Sequence, residues 1–158
     1  MTLLVTTVNQ GSYQKTGTVN GLNLPAGEPL VLMNGATISV SDSGVNPSLA
    51  GIATSADGAR LLLMGSVLSA SSFAVFSSHD KQNVMIGSTG ILSGGAGGIS
   101  LSNNANDPNE PSGGNFVENR GLVIAAGLLS VGISAQHSSN YIANLGTVEP
   151  AWGRRSRF

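Results

Sequence analysis

The chain has no cysteine. That removes a disulfide framework, a thiolate metal site and a cysteine nucleophile together, and it leaves the redox compartment unread. Charge is nearly as scarce: 9% of the 158 residues are charged, seven basic against eight acidic, where a typical globular domain carries about 25%. No electrostatic field gathers nucleic acid here. Aromatic residues make up 4%, with one tryptophan and two tyrosines, which is a poor platform for stacking on sugar rings. Long apolar runs are missing too. The least polar stretch, 121–135, is broken by Gly127, Ser130, Gly132 and Ser134, and it falls short of the roughly 18 apolar residues a membrane-spanning helix needs. The first eight residues lack the basic and apolar regions of a secretory signal. The expectation is a soluble chain with neither nucleic acid nor membrane as a partner.

What the chain has is glycine, 22 residues of it, together with abundant serine and asparagine, in a background that is still 41% hydrophobic. Disorder requires low hydrophobicity and high net charge, and this chain has neither. Its length suits one domain able to bury roughly 68% of its unfolded surface. No second domain and no heptad, collagen or solenoid period emerges from the spacing.

Turn dipeptides are frequent. Asn20-Gly21, Asn34-Gly35 and Asp57-Gly58 tolerate positive φ, and the last two lie between apolar runs in the way a tight β-hairpin demands. Residues 29–33 and 36–40 are predicted to form one hairpin, and 51–55 with 59–64 a second. Further strands are predicted at 66–68, 73–76, 84–86, 121–125 and 128–133; a small-residue helix over 121–134 is the competing reading. Strands about ten residues apart, with Gly, Ser or Asn between them, predict an all-β fold: a single β-sandwich or barrel with an extended N-terminal arm and a short C-terminal tail. The arm covers 1–17, the β-domain 18–148, and the basic and aromatic tail 149–158. Within the domain, 93–115 is rich in Gly, Asn and Ser and is expected to be a long surface loop.

Chemistry is sparse. His79 and His137 have no second His, Cys or carboxylate at a metal-site spacing. His79, beside Asp80 and Lys81, suits a solvated turn, and His137 an exposed or interface position. No Gly-x-Ser-x-Gly elbow occurs. Gly94, Gly95, Gly97 and Gly98 lack the Gly-Lys-Ser/Thr that completes a phosphate-binding loop. Asn103, Asn104, Asn106, Asp107, Asn109 and Glu110 offer hard oxygens, but in no calcium-loop spacing. Asp42 and Asp57 stand next to glycines or in turns. No catalytic residue, cofactor or metal is expected, and the chain is read as a non-enzyme.

The order of segments carries a resemblance. Leu24-Pro-Ala-Gly-Glu-Pro-Leu-Val-Leu-Met-Asn-Gly is followed by Gly51-Ile-Ala, Gly65-Ser-Val, Gly87-Ser-Thr-Gly and the apolar pair around 121–133. This order resembles a β-domain of tailed-bacteriophage head decoration (cement) proteins and related head or tail fibres, over about residues 24–133. The resemblance implies a virion structural protein on the capsid exterior, made in the host cytoplasm. It would be a homotrimer that binds and stabilises the major capsid protein lattice. A tail-fibre, baseplate or receptor-binding module is the alternative, and a secreted carbohydrate-binding β-sandwich the second. Two segments outside the domain are the expected partner contacts. In the arm, Leu3, Val5 and Val8 are apolar and the surrounding residues rich in Thr, which favours an edge strand. In the tail, Trp152, Arg154, Arg155, Arg157 and Phe158 combine charge with aromatic surface.

Overall fold

The structure is a computed structural model, and the residues it describes are 6–8, 11–16, 21–25, 28–41, 49–102, 113–127, 130–136 and 139–150. All regular structure among them is strand, arranged in successive rungs. The first rung holds β1 (Thr6–Val8), β2 (Gly11–Thr16) and β3 (Leu22–Leu24). The second holds β4 (Leu30–Leu32), β5 (Ala36–Ser41) and β6 (Ile52–Thr54). The third holds β7 (Arg60–Leu63), β8 (Ser66–Ser69) and β9 (Phe73–Ser77). The fourth is built from β10 (Asn83–Ile86), β11 (Ile91–Gly94) and β12 (Gly97–Leu101). The fifth contains β13 (Phe116–Asn119), β14 (Leu122–Ala125) and β15 (Val131–Ala135), and the sixth β16 (Tyr141–Asn144) and β17 (Thr147–Pro150).

Each strand pairs with its counterpart one rung away, always in parallel. Three sheets result: sheet I, β1-β4-β7-β10-β13-β16; sheet II, β2-β5-β8-β11-β14-β17; and sheet III, β3-β6-β9-β12-β15. This is a parallel β-helix, a solenoid of β-strands, and it overturns the sandwich or barrel expected from the sequence. The two expected hairpins fail for the same reason. Their strands exist, but β4 and β5 belong to sheets I and II, and β6 and β7 to sheets III and I. Asn34-Gly35 and Asp57-Gly58 therefore turn a corner between sheets instead of returning the chain antiparallel. The turn chemistry itself is as expected, with Gly35 at φ 84° and Gly58 at φ 74°. The solenoid period, not found in the sequence, is present but irregular: Thr6, Leu30, Leu61, Val84, Val117 and Ile142 occupy one register position, so rungs differ in length. No helix occurs among the described residues.

The core is a set of columns. Leu30, Leu61, Val84 and Val117 stack in sheet I, and Ile38, Val67, Leu92 and Val123 in sheet II. Ile52, Val75 and Ile99 do the same in sheet III. All are buried in one cluster. Each fully buried aliphatic side chain stabilises the fold by roughly 1.5–3 kcal/mol relative to exposure. Strands about 4.8 Å apart make six rungs only about 24 Å tall.

Residues 93–101, expected to begin a surface loop, are strand and tight turn. Ser93 and Gly94 close β11, and β12 carries Ile99 and Leu101, both buried. Residues 103–112 of the expected loop lie outside the described residues. The expected arm of residues 1–17 contributes β1 and β2, which pair with β4 and β5 of the same chain.

Deleting residues 94–98 removes the corner and the start of a central strand; urea titration followed by circular dichroism should show loss of the cooperative transition. Leu92→Ala should cost about 2–5 kcal/mol in the same assay, as a buried leucine does when its site cannot collapse.

Candidate functional site

The corner between sheets I and II is shaped by close backbone stacking. Gly65, Gly90, Gly121 and Gly146 stand there on successive rungs. A Cβ at Gly121 would lie 2.3 Å from the carbonyl oxygen of Gly90, and one at Gly146 the same distance from that of Gly121. Only glycine fits, because real Cβ atoms do not approach backbone oxygens so closely. The corner is instead tied by backbone bonds: Ile91 N–H donates to the Gly65 carbonyl, Leu122 N–H to Gly90, and Thr147 N–H to Gly121, at 2.9–3.1 Å.

Bare backbone along this corner leaves an open groove of about 710 Å³, flanked by Ser88, Thr89, Arg120, Leu145, Thr147 and Glu149. Its charged groups are few. Arg120 Nε donates to Glu118 Oε1, and Thr89 Oγ1 donates to the Met64 carbonyl at 2.7 Å. The groove thus offers a hydroxyl-rimmed trough with Arg120 and Glu149 as its charged lining groups, holding no nucleophile beside a base.

Under the groove runs an asparagine ladder. Asn119, buried, accepts from Gly121 N–H at 3.0 Å and donates through Nδ2 to Asn144 Oδ1 at 2.8 Å and to the Thr147 carbonyl at 3.2 Å. A second ladder lines the corner between sheets III and I. Gln82 N–H donates to Asn115 Oδ1, and Asn115 donates through N–H and Nδ2 to Asn140 Oδ1. Stacked amides of this kind satisfy one another from rung to rung. The sequence reading singled out none of these residues, although Asn119-Arg-Gly121 and Asn144-Leu-Gly146 repeat one pattern at the same register.

His79 is half-buried, 3.6 Å from Asp57. Asp57 Oδ1 accepts from Asp80 N–H, and Asp80 Oδ1 from Gly113 N–H, so these groups brace a corner. The neighbouring Ser77 hydroxyl is buried, receiving Thr54 Oγ1 at 2.7 Å and His79 N–H at 3.0 Å. Backbone, not imidazole, faces it, and no nucleophile–base pair forms. Among the described residues no group of three His, Asp or Glu side chains could hold a metal ion.

The outer face of sheet I is apolar in a way its composition did not announce. Val31, Leu62 and Met85 stand in register on it, followed by Glu118 and flanked by Arg60 and Asn83; Met33 and Met85 are exposed. Phe116 and Tyr141 stack on the same face at 5.3 Å. Sheet II adds exposed Leu68 and Ile91. Of the expected contact residues, Val8 lies in β1; Leu3, Val5, Trp152, Arg154, Arg155, Arg157 and Phe158 lie outside the described residues, as does His137. Comparison of the chain with family models, curated proteins and solved structures gave no match.

Asn119→Ala removes both ends of a buried ladder and strands the Gly121 amide; it should cost about 1–3 kcal/mol in urea unfolding. Asn144→Ala, at an exposed position, should cost less than about 1.5 kcal/mol.

Proposed function

We propose that this chain is a non-enzymatic structural module that packs into a larger assembly, with the fibre or baseplate of a virion as the setting. The observation that carries the reading is the outward apolar ladder of sheet I. Parallel sheets are normally covered on both faces. Here Val31, Leu62, Met85 and the flanking methionines make an apolar row edged by Arg60 and Glu118, a surface fitted to protein contact, and methionine adapts its shape to a partner.

Between the two virion roles, the fibre or baseplate module fits better than the capsid decoration protein. Both roles came from one segment-order resemblance, and the loss of the sandwich bears on both; the preference for a fibre or baseplate rests on the solenoid itself. A solenoid stacks its rungs along one axis and presents three parallel sheet faces side by side, suited to lateral packing in a shaft or against a baseplate. Binding to a major capsid protein lattice and homotrimer formation belong to the decoration reading.

Immunogold labelling and quantitative mass spectrometry of particles purified from the source should find the protein as a stoichiometric particle component. Recovery only from the free soluble fraction, or turnover of a glycan or ester by the purified protein, would reject the proposal. Replacing Leu62 and Met85 by lysine should leave the fold intact, since both point outward, and should abolish incorporation into the particle.

A further inference from the structure

Three pairs in the sequence carry a latent reaction: Asn20-Gly21, Asn34-Gly35 and Asp57-Gly58. In each, the glycine nitrogen can attack the side-chain carbonyl carbon of the residue before it, and glycine has no side chain to obstruct the approach. In a folded chain the outcome depends on whether that nitrogen is already engaged. The structure treats the three pairs differently.

Gly21 is buried, and its N–H donates to the Ala50 carbonyl at 2.9 Å. Gly58 N–H donates to the Asp80 carbonyl at 2.9 Å, while Asp57 Oδ1 accepts from Asp80 N–H at 3.0 Å. Both nitrogens are held. At the corner between β4 and β5, in contrast, Asn34 and Gly35 are both exposed, and neither has a hydrogen-bond partner among the described residues. Beyond its chain neighbours, no described atom lies within 4 Å of the place a Cβ on Gly35 would take. The corner is closed around the pair, by Ala36 N–H donating to the Met33 carbonyl at 3.0 Å. The peptide between Asn34 and Gly35 can therefore rotate without giving up a bond, and Gly35, at φ 84°, tolerates the angles that rotation reaches.

We infer that Asn34 is a site of spontaneous modification, the one Asx-Gly pair of the three that the fold leaves reactive. The Gly35 nitrogen attacks Asn34 Cγ, the Cγ–N bond forms and the Cγ–Nδ2 bond breaks. The proton from Gly35 passes through solvent to the departing nitrogen, which leaves as ammonia. Water then opens the five-membered succinimide at either carbonyl, giving aspartate or isoaspartate, and it is the only co-reactant. Either product sets a negative charge next to exposed Met33. Isoaspartate also inserts a methylene into the backbone of a corner whose two strands are fixed in register by the rung above. The inference stands apart from the assembly reading.

Peptide mapping by mass spectrometry of the purified full chain, stored in mildly alkaline buffer with and without urea, tests it, with isoaspartyl methyltransferase labelling to identify isoaspartate. In the folded chain Asn34 should convert at least about tenfold faster than Asn20, whose reaction must wait for the buried Gly21 bond to open. In urea the two rates should converge, because only the local sequence then acts. Asn34→Gln, which would have to close a less favourable six-membered ring, should lose the label from this peptide and keep the unfolding transition. Equal rates at Asn34 and Asn20 in the folded chain, or an Asn34 that converts only in urea, would overturn the inference.

Discussion

Everything in this molecule depends on the parallel ladder that joins one rung to the next. In such a ladder a residue's neighbours above and below are the residues at the same position of adjacent rungs, so side chains meet like with like. Apolar positions then make continuous columns, as Ile38, Val67, Leu92 and Val123 do. Corner positions have to meet a harder condition. There the backbones of successive rungs come so close that a single Cβ would strike the carbonyl below, and Gly90, Gly121 and Gly146 follow from that alone. The glycine content that reads as looseness in the sequence is, at these places, a condition of close stacking.

Stacking also explains which polar groups the interior accepts. A buried amide costs free energy unless it is paired, and in a solenoid the same residue type one rung away is the natural partner. Asn119 meets Asn144, and Asn115 meets Asn140. Thr54 and Ser77 do the same with hydroxyls in sheet III. Gln82 is the informative departure: its Nε2 donates to the Ala56 and Asp80 carbonyls, while its Oε1 is buried without a donor. The residue preceding Arg60 in the rung below is Ala59, whose carbonyl takes the Asn83 amide, and its side chain has nothing to give.

The strands were legible in the sequence and their arrangement was not. Alternation in 36–40 and the Asn34-Gly35 turn mark two strands and a reversal, but a corner of a solenoid and a hairpin use the same local chemistry, a positive-φ glycine between apolar runs. Only long-range register separates them. That signal is clear between Val117-Glu-Asn-Arg-Gly and Ile142-Ala-Asn-Leu-Gly. It is blurred elsewhere, because the chain between rungs varies in length and a fixed period cannot be read through it. The groove and the apolar face escaped for a different reason. Serine, threonine, glycine and methionine carry no chemistry conspicuous in one dimension, and they become a surface only when rungs align them.

A low charge has different consequences on the flanks and at the ends of such a fold. On the flanks the outward positions of sheet I are filled by Val31, Leu62 and Met85, with only Arg60 and Glu118 as charged neighbours, so association there is decided more by shape and adaptability than by charge. At the ends the exposed groups are backbone, and an edge strand without lysine or proline to guard it will pair with any extended chain of suitable length. Glu149 and Pro150 close β17, which blunts the edge of sheet II. β15 ends in Ile133, Ser134 and Ala135 and has no such guard.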